Sequence, residues 1–374
     1  MKTRSLYLTL LCILILTSCT GRVADAPSKG EPTLQKSTDA PTYHAKVWAT
    51  GDIMYHEPTY RGGDFNQFEF VKEYIQGADL AIGNLETTIN PHRSPAGHPL
   101  FNTPQEALEG LKDAGFDALS TSNNHCLDTG MEGVFTTQDA IKDYGLTYFG
   151  TKKPQEPPKI LTVNGIAIGL MATTDLLNGL DGQLSPEERL LLTPSEHDVL
   201  IGEIQNLRSL GADVILAYTH GGIEYAEEPT PRQVAIESLL LDYGVDVVLG
   251  SHPHVLQRAH AVPGKTPRFA IYSMGNAVSN QRFEWLPHRG VESGVFVELN
   301  FEKKDQHTVL TSFILHPTFV DKKDGTTRVY LYSDIAEGGK YRDQIRDIKK
   351  ADADYPWVVN RLETLNSWTP NGTL

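Results

Sequence analysis

Cysteine is scarce in this chain, basic residues never cluster, and no long apolar run follows the first twenty residues. Only three cysteines occur among 374 residues, at positions 12, 19 and 126. Two of them fall in the N-terminal segment, so the remainder holds Cys126 alone and cannot close an internal disulfide. With 33 Lys and Arg against 47 Asp and Glu, the formal net charge is −14. No basic block exists to neutralise phosphates, which argues against nucleic acid as a partner. The absence of a second apolar stretch of about 20 residues excludes a later membrane-spanning helix. What is present is ordinary globular composition, 40% hydrophobic and 21% charged, enough for a sizeable core.

The N-terminus reads as a targeting segment. "MKTRSLYLTLLCILILTSCTG" places Lys2 and Arg4 before an apolar stretch from Leu6 to Leu16, the pattern of a secretory signal over residues 1–18. Its end, "LTSC", resembles the bacterial lipobox and implies lipidation of Cys19, export, and a membrane anchor of more than one acyl chain. Residues 19–42 are rich in Pro, Ser, Thr, Ala and charge, the composition of a flexible tether. A folded domain is expected over 43–320, followed by a charged, partly helical extension over 321–374. Cys126 is expected to be a small packing residue.

Within the domain, short apolar runs alternate with segments of helical spacing. "HAKVWATGDIM", "ADLAIGNLE", "FDALSTSNNH", "IAIGLMATT", "ADVILAYTHGG" and "VDVVLGSHPH" read as strands. "KILTVNG" should form a hairpin with the fourth of these around Asn164-Gly165. Helices are expected over "FNQFEFVKEYIQG", "TPQEALEGLKDAG" with a Thr103–Glu106 capping box, "GMEGVFTTQDAIKDYG", residues 196–210 and "TPRQVAIESLLLDYG". This alternation predicts an α/β sandwich whose parallel strands are covered by helices. "VESGVFVELNFE" and "HTVLTSFILHPTFV" add antiparallel strands, as a second sheet or a mixed edge.

Chemistry-bearing residues recur at one kind of place. Asp52 ends the first strand, Asn84 and Glu86 follow the second, and Asn124, His125 and Asp128 follow the third. His220 and Glu224 leave a later strand, and His252 and His254 leave the next. Four of the thirteen histidines sit at these ends, where open α/β sheets place their ligand crevices. Carboxylate, imidazole and Asn carbonyl together suit a borderline divalent ion such as zinc, manganese or iron, one or two in number.

The ordered motifs "GDIMYHEP", "ADLAIGNLET", "TSNNHCLDTG", "THGGIEY", "GSHPHVLQ" and "YSMGN" resemble those of the bacterial capsule-synthesis CapA family, the poly-γ-glutamate biosynthesis proteins. That family is similar to the calcineurin-like metallophosphoesterases, and the resemblance implies an αββα double-sheet sandwich. It implies metal ligation by Asp52, by Asn84 or Glu86, and by Asn124, His220, His252 and His254. His125 would act as general acid or transition-state donor, and Asp128 and Glu224 would be additional ligands or acid–base groups. Two departures stand out: Met54 occupies the position of a phosphoesterase ligand histidine, and Asn84 that of the bridging aspartate. The implied function is a lipid-anchored envelope protein acting on an anionic polymer or its precursor, alongside membrane synthase subunits, by metal-dependent hydrolysis or transfer. A metal-dependent phosphoesterase and a non-catalytic polymer-binding scaffold are the alternatives.

Overall fold

The computed structural model describes residues 41–363 apart from positions 263, 265 and 324. The signal segment, Cys19 and nearly all of the tether lie outside the described residues. Four parallel strands come first: β1 (Thr42–Ile53), β2 (Leu80–Leu85), β3 (Ala118–Ser120) and β4 (Thr147–Phe149). A second sheet follows from β5 (Lys159–Val163), β6 (Ile166–Thr174), β7 (Val214–His220), β8 (Val247–Ser251), β9 (Ala259–Val262) and β10 (Arg268–Ile271). The chain then returns to the first sheet with β11 (Asn276–Val278), β12 (Ser293–Lys304), β13 (His307–Lys323) and β14 (Thr326–Leu331). The first sheet runs β14-β13-β12-β1-β2-β3-β4, with β11 also pairing β1, and the second runs β5-β6-β7-β8-β10-β9.

Alternation along the strands decides the layering. Val47 and Ala49 of β1 pack with Leu216 and Tyr218 of β7 and with Val247 and Leu249 of β8, filling the space between the sheets. Trp48 faces the other way, into a cluster with Ala107, Leu108 and Leu111. On the far side, Ile215, Ala217 and Val248 meet Leu200, Ile204, Leu207 and Leu240. The helices supplying these outer layers are α1 (Lys72–Gln76), α2 (Glu106–Ala114) and α3 (Gly130–Asp143), then α4 (Pro186–Leu190), α5 (His197–Ser209) and α6 (Pro231–Asp242). The architecture is therefore the expected αββα sandwich. No helix among the described residues is long and apolar enough to cross a membrane.

Several local readings change. Helix forms only over Lys72–Gln76 of "FNQFEFVKEYIQG", because Asn66 N–H is taken by the Asp64 side chain and Gln67 C=O by Val329 N–H of β14. Thr103 does not cap α2, whose N-cap is Gln105 without a side-chain bond; its hydroxyl pairs instead with Thr87 at 2.8 Å. True capping boxes occur at Ser185–Glu188 and Thr230–Gln233. The first sheet also continues past residue 320 into β14, and α7 (Tyr332–Ile335) and α8 (Ile348–Glu363) follow. α8 buries Ala351, Val358 and Leu362 in the inter-sheet cluster, so this helix packs as part of the sandwich.

One side chain ties the sheets together beneath the strand ends. The buried Tyr218 hydroxyl of β7 donates to Thr50 C=O of β1 at 3.0 Å and lies 3.3 Å from Ile82 C=O of β2. Tyr218→Phe removes that donor at nearly constant volume. Denaturant unfolding should report a loss of about 1–3 kcal/mol with unchanged secondary structure.

Candidate metal centre

The carboxyl ends of β1, β2, β7 and β8 face one another across the sandwich, and the backbone is shaped to bring them close. A Cβ on Gly51 would lie 2.0 Å from Gly275 C=O. Bare backbone there lets Asp52 N–H donate to Gly275 C=O at 3.1 Å and sets Asp52 beside Asn276 in the β1–β11 register. After β8, His252 and His254 adopt φ of 96° and 58°, left-handed conformations that cost about 1–3 kcal/mol each in a residue other than glycine. Two such residues in one loop show that the imidazoles are aimed at the expense of the backbone.

The aimed atoms converge on Glu86. Glu86, His252 and His254 form one group with ligand atoms mutually within 4.8 Å, and Asp52, Glu86 and His220 form a second. Glu86 Oε1 lies 3.5 Å from His220 Nε2 and 3.9 Å from His254 Nε2. His254 Nδ1 faces two acceptors, Asn276 Oδ1 at 3.1 Å and Asp52 Oδ2 at 3.2 Å. It therefore carries the proton and leaves Nε2 a free lone pair, the arrangement of a metal-ligating histidine held from behind. His220 Nδ1 accepts from Asn84 Nδ2 at 3.2 Å and contacts Ser251 Oγ at 2.9 Å, while its Nε2 faces Asn124 Oδ1 at 2.8 Å.

Both Glu86 carboxylate oxygens and His252 Nδ1 are buried without a hydrogen-bond partner among the described residues. Burial, then the neighbouring Asp52 and Glu224 carboxylates, push the Glu86 carboxyl well above its ordinary range. Burial also acts upward on Asp52, but His254 and His220, with the Asn84 amide, outweigh it and hold that carboxylate at about 2. Burial and then His254 drive His252 down to about 3; burial and then His252 push His220 well below its usual value. The centre thus offers two imidazoles, His220 and His252, held toward the neutral form, one ionised carboxylate, and a second that lacks only a cation. Buried polar atoms ordinarily have partners, and this donor set fits a divalent ion.

The other expected residues divide by position. Asn124 turns Oδ1 inward, its Nδ2 lying 3.4 Å from Asn178 Oδ1. Asn84 turns its amide nitrogen toward Asp52 Oδ1 at 2.9 Å, and its Oδ1 accepts from Asn123 Nδ2 at 3.2 Å. It therefore orients Asp52, and Glu86 is the carboxylate common to both groups. His125 Nδ1 is 2.7 Å from Asp128 Oδ2, which also accepts from Phe101 N–H at 2.6 Å. Glu224 is exposed at the rim. Met54 is buried, and His56, two residues on, spends Nδ1 accepting Asn280 N–H. Cys126 is packed in a small cluster with Leu127 and Val134, as expected.

Sequence reasoning missed the residues that position the ligands. Asn123 is anchored to Leu85 C=O at 2.8 Å. Asn276 is fixed by donating to Gln281 Oε1 at 2.8 Å and Val291 C=O at 2.9 Å. Tyr225, also at positive φ, stacks on His288 with ring centres 4.6 Å apart and lies 6.2 Å from His254. All three lie within motifs of the sequence, "TSNNHCLDTG", "THGGIEY" and "YSMGN", but nothing local marked them as positioning groups.

Fold and site together define an αββα sandwich with a buried carboxylate–histidine cluster at its strand ends. The family model described as bacterial capsule synthesis protein PGA_cap matches residues 46–281, and the chain belongs to that family. It is 29% identical over 246 residues to the capsule biosynthesis protein CapA of Bacillus anthracis, covering 62% of this chain and 59% of that protein. It is 27% identical over 242 residues to the PGA biosynthesis protein CapA of Bacillus subtilis, covering 62% of each. The matched part thus spans about three fifths of these relatives' length. Among solved structures, calcineurin-like phosphoesterase YfkN from Bacillus subtilis aligns with a TM-score of 0.46 and 14% identity, covering 87% of this chain and 99% of that one.

Two substitutions separate ligation from packing. A divalent ion at a hundredfold its Kd should stabilise the wild type by about 2.7 kcal/mol, and Glu86→Gln should remove most of that rise in thermal melting. His252→Gly should unfold about 1 kcal/mol less readily than His252→Ala, because only glycine is at ease at that φ.

Proposed function

We propose that this protein is a divalent-metal-dependent hydrolase or transferase of capsule biosynthesis, acting on an acidic polymer or its precursor. Export and anchoring through a lipid on Cys19 complete the reading, with membrane synthase subunits as its partners. The observation that carries it is Glu86, a fully buried carboxylate without a hydrogen-bond donor among three histidines. An uncompensated buried charge costs several kcal/mol, whereas a cation converts that cost into binding. Asp52 and Glu86 together supply two negative charges, which favours a single divalent ion of zinc, manganese or iron character.

The residues that would hold it are Glu86, Asp52, His220, His252 and His254, with Asn124 offering its carbonyl. Such an ion supplies Lewis acidity toward a carbonyl or phosphoryl oxygen and activates water. The protein's own part is orientation and proton movement. Asp128 accepts Phe101 N–H and holds His125 Nδ1–H, so His125 Nε2 is the nitrogen that takes or delivers a proton. Asn276 and Asp52 keep the His254 proton on Nδ1 and away from the ligand side. Glu224 and Tyr225 stand at the mouth, where the substrate would enter. The loss of a ligand at Met54 and the inward amide nitrogen of Asn84 weigh toward this reading over a two-metal phosphoesterase.

The test is turnover by the purified protein, with added divalent ions, of a γ-linked glutamate polymer and of a generic phosphate ester. Shortening of the polymer is expected. His125→Ala should lower that rate by about 10²–10⁴ while metal content stays unchanged, and His252→Ala with His254→Ala should lose both. Rapid ester hydrolysis with an intact polymer would favour the phosphoesterase. Metal binding with turnover of neither substrate would leave a polymer-binding scaffold.

A further inference from the structure

The segment following β11 has two faces. Gln281 looks toward the metal centre: its Oε1 accepts from Asn276, and its Nε2 donates to Tyr225 Oη at 3.2 Å. Its neighbour Arg282 lines a separate cavity of about 310 Å³ that Trp285, Lys322 and Lys350 also line. From Arg282 the chain makes one tight turn, with Trp285 and Leu286 N–H both donating to Arg282 C=O.

That cavity gathers three cations, and two of them, Arg282 and Lys322, have no ion pair among the described residues. Arg282 is only 8% exposed, donates through one nitrogen to Val320 C=O at 2.9 Å, and keeps its other terminal nitrogen buried without a partner. Lys322 sits over the Trp285 indole, 5.4 Å from its centre, and no ion pair of Lys322 occurs among the described residues. Burial, with Arg282 and Arg61 nearby, holds its ammonium down to about 8. Lys350 is paired, 3.0 Å from Asp354. Of the acids lining the cavity, Glu292 accepts Phe283 N–H, and burial pushes its carboxyl upward; burial holds the Arg282 guanidinium down against the opposing pull of Glu292, then of Asp321, Glu284 and Asp347. Trp285, at 64% exposure, presents an open indole face beside these cations.

We propose that this cavity is a docking subsite for a carboxylate borne on an aliphatic chain. Arg282 and Lys322 receive the acid oxygens, and Trp285 covers the methylene groups beside them. In a protein of net charge −14, two cations without an ion pair among the described residues, set beside an aromatic platform, give a polyanion a local foothold that the overall charge denies it. The subsite deepens the functional reading above and rests on it for the identity of the ligand. Because Gln281 and Arg282 face the two sites, one segment of an acidic polymer could dock here while the next lies over the metal centre.

The experiment is titration of the purified protein with a short γ-linked glutamate oligomer, followed by calorimetry and by tryptophan fluorescence. Lys322→Gln is expected to weaken binding about tenfold with metal content unchanged, and Trp285→Ala to weaken it and abolish the fluorescence change. Arg282 is buried, so these two variants carry the test without disturbing the core. Chelator-treated protein should still bind the oligomer in a Lys322-dependent way, which upholds the subsite even where the catalytic reading fails. Unchanged affinity in both variants would overturn the proposal. So would binding of inorganic phosphate through Lys322 without binding of the oligomer.

Discussion

A carboxylate with no hydrogen-bond donor, sealed between two sheets, is the constraint around which the site is organised. Glu86 finds no hydrogen-bond partner among the described residues: its neighbours are imidazole nitrogens and the ionised Asp52. Burial and the neighbouring carboxylates press it toward its protonated form, and a cation would relieve its charged form. Each neighbour is arranged for that cation. His254 is held from behind by Asp52 and Asn276, and His252 keeps Nδ1 free. Asn84 is fixed by Asn123 so that it donates to Asp52 instead of competing for the ion.

Holding such a group against its own energetics needs a rigid frame. The αββα sandwich supplies it by delivering the ends of β1 and β2 from one sheet and of β7 and β8 from the other into one space. Tyr218 binds the two sheets just below the site. The close passage of Gly51 against Gly275 lets β11 join β1 and places Asn276 behind His254. Backbone strain at His252 and His254 is then sustained by the surrounding packing, as expected where stability is exchanged for function.

The layering and the main site residues were legible for a simple reason. Asp52, Glu86, His220, His252 and His254 each come at or just after the end of a short, continuous apolar run, which reads as a buried strand. Orientation was not legible. Asn84 stands where a ligand was expected, yet only the amide of Asn123, 39 residues away, decides which end of Asn84 faces inward. β11 is three residues long and leaves no periodic signal. Thr103 looked like a cap until Thr87 supplied a competing partner. The cation-lined cavity joins residues 282, 322 and 350 from three elements, a meeting that no local pattern announces.

The most direct test is anomalous diffraction from crystals of the protein grown with manganese or zinc. The account predicts a peak bonded to Glu86 and to His252, His254 or His220, with ligand distances of about 2.0–2.2 Å for zinc. A peak elsewhere with none at Glu86, or a saturating ion that leaves both Glu86 oxygens unbound, would contradict it.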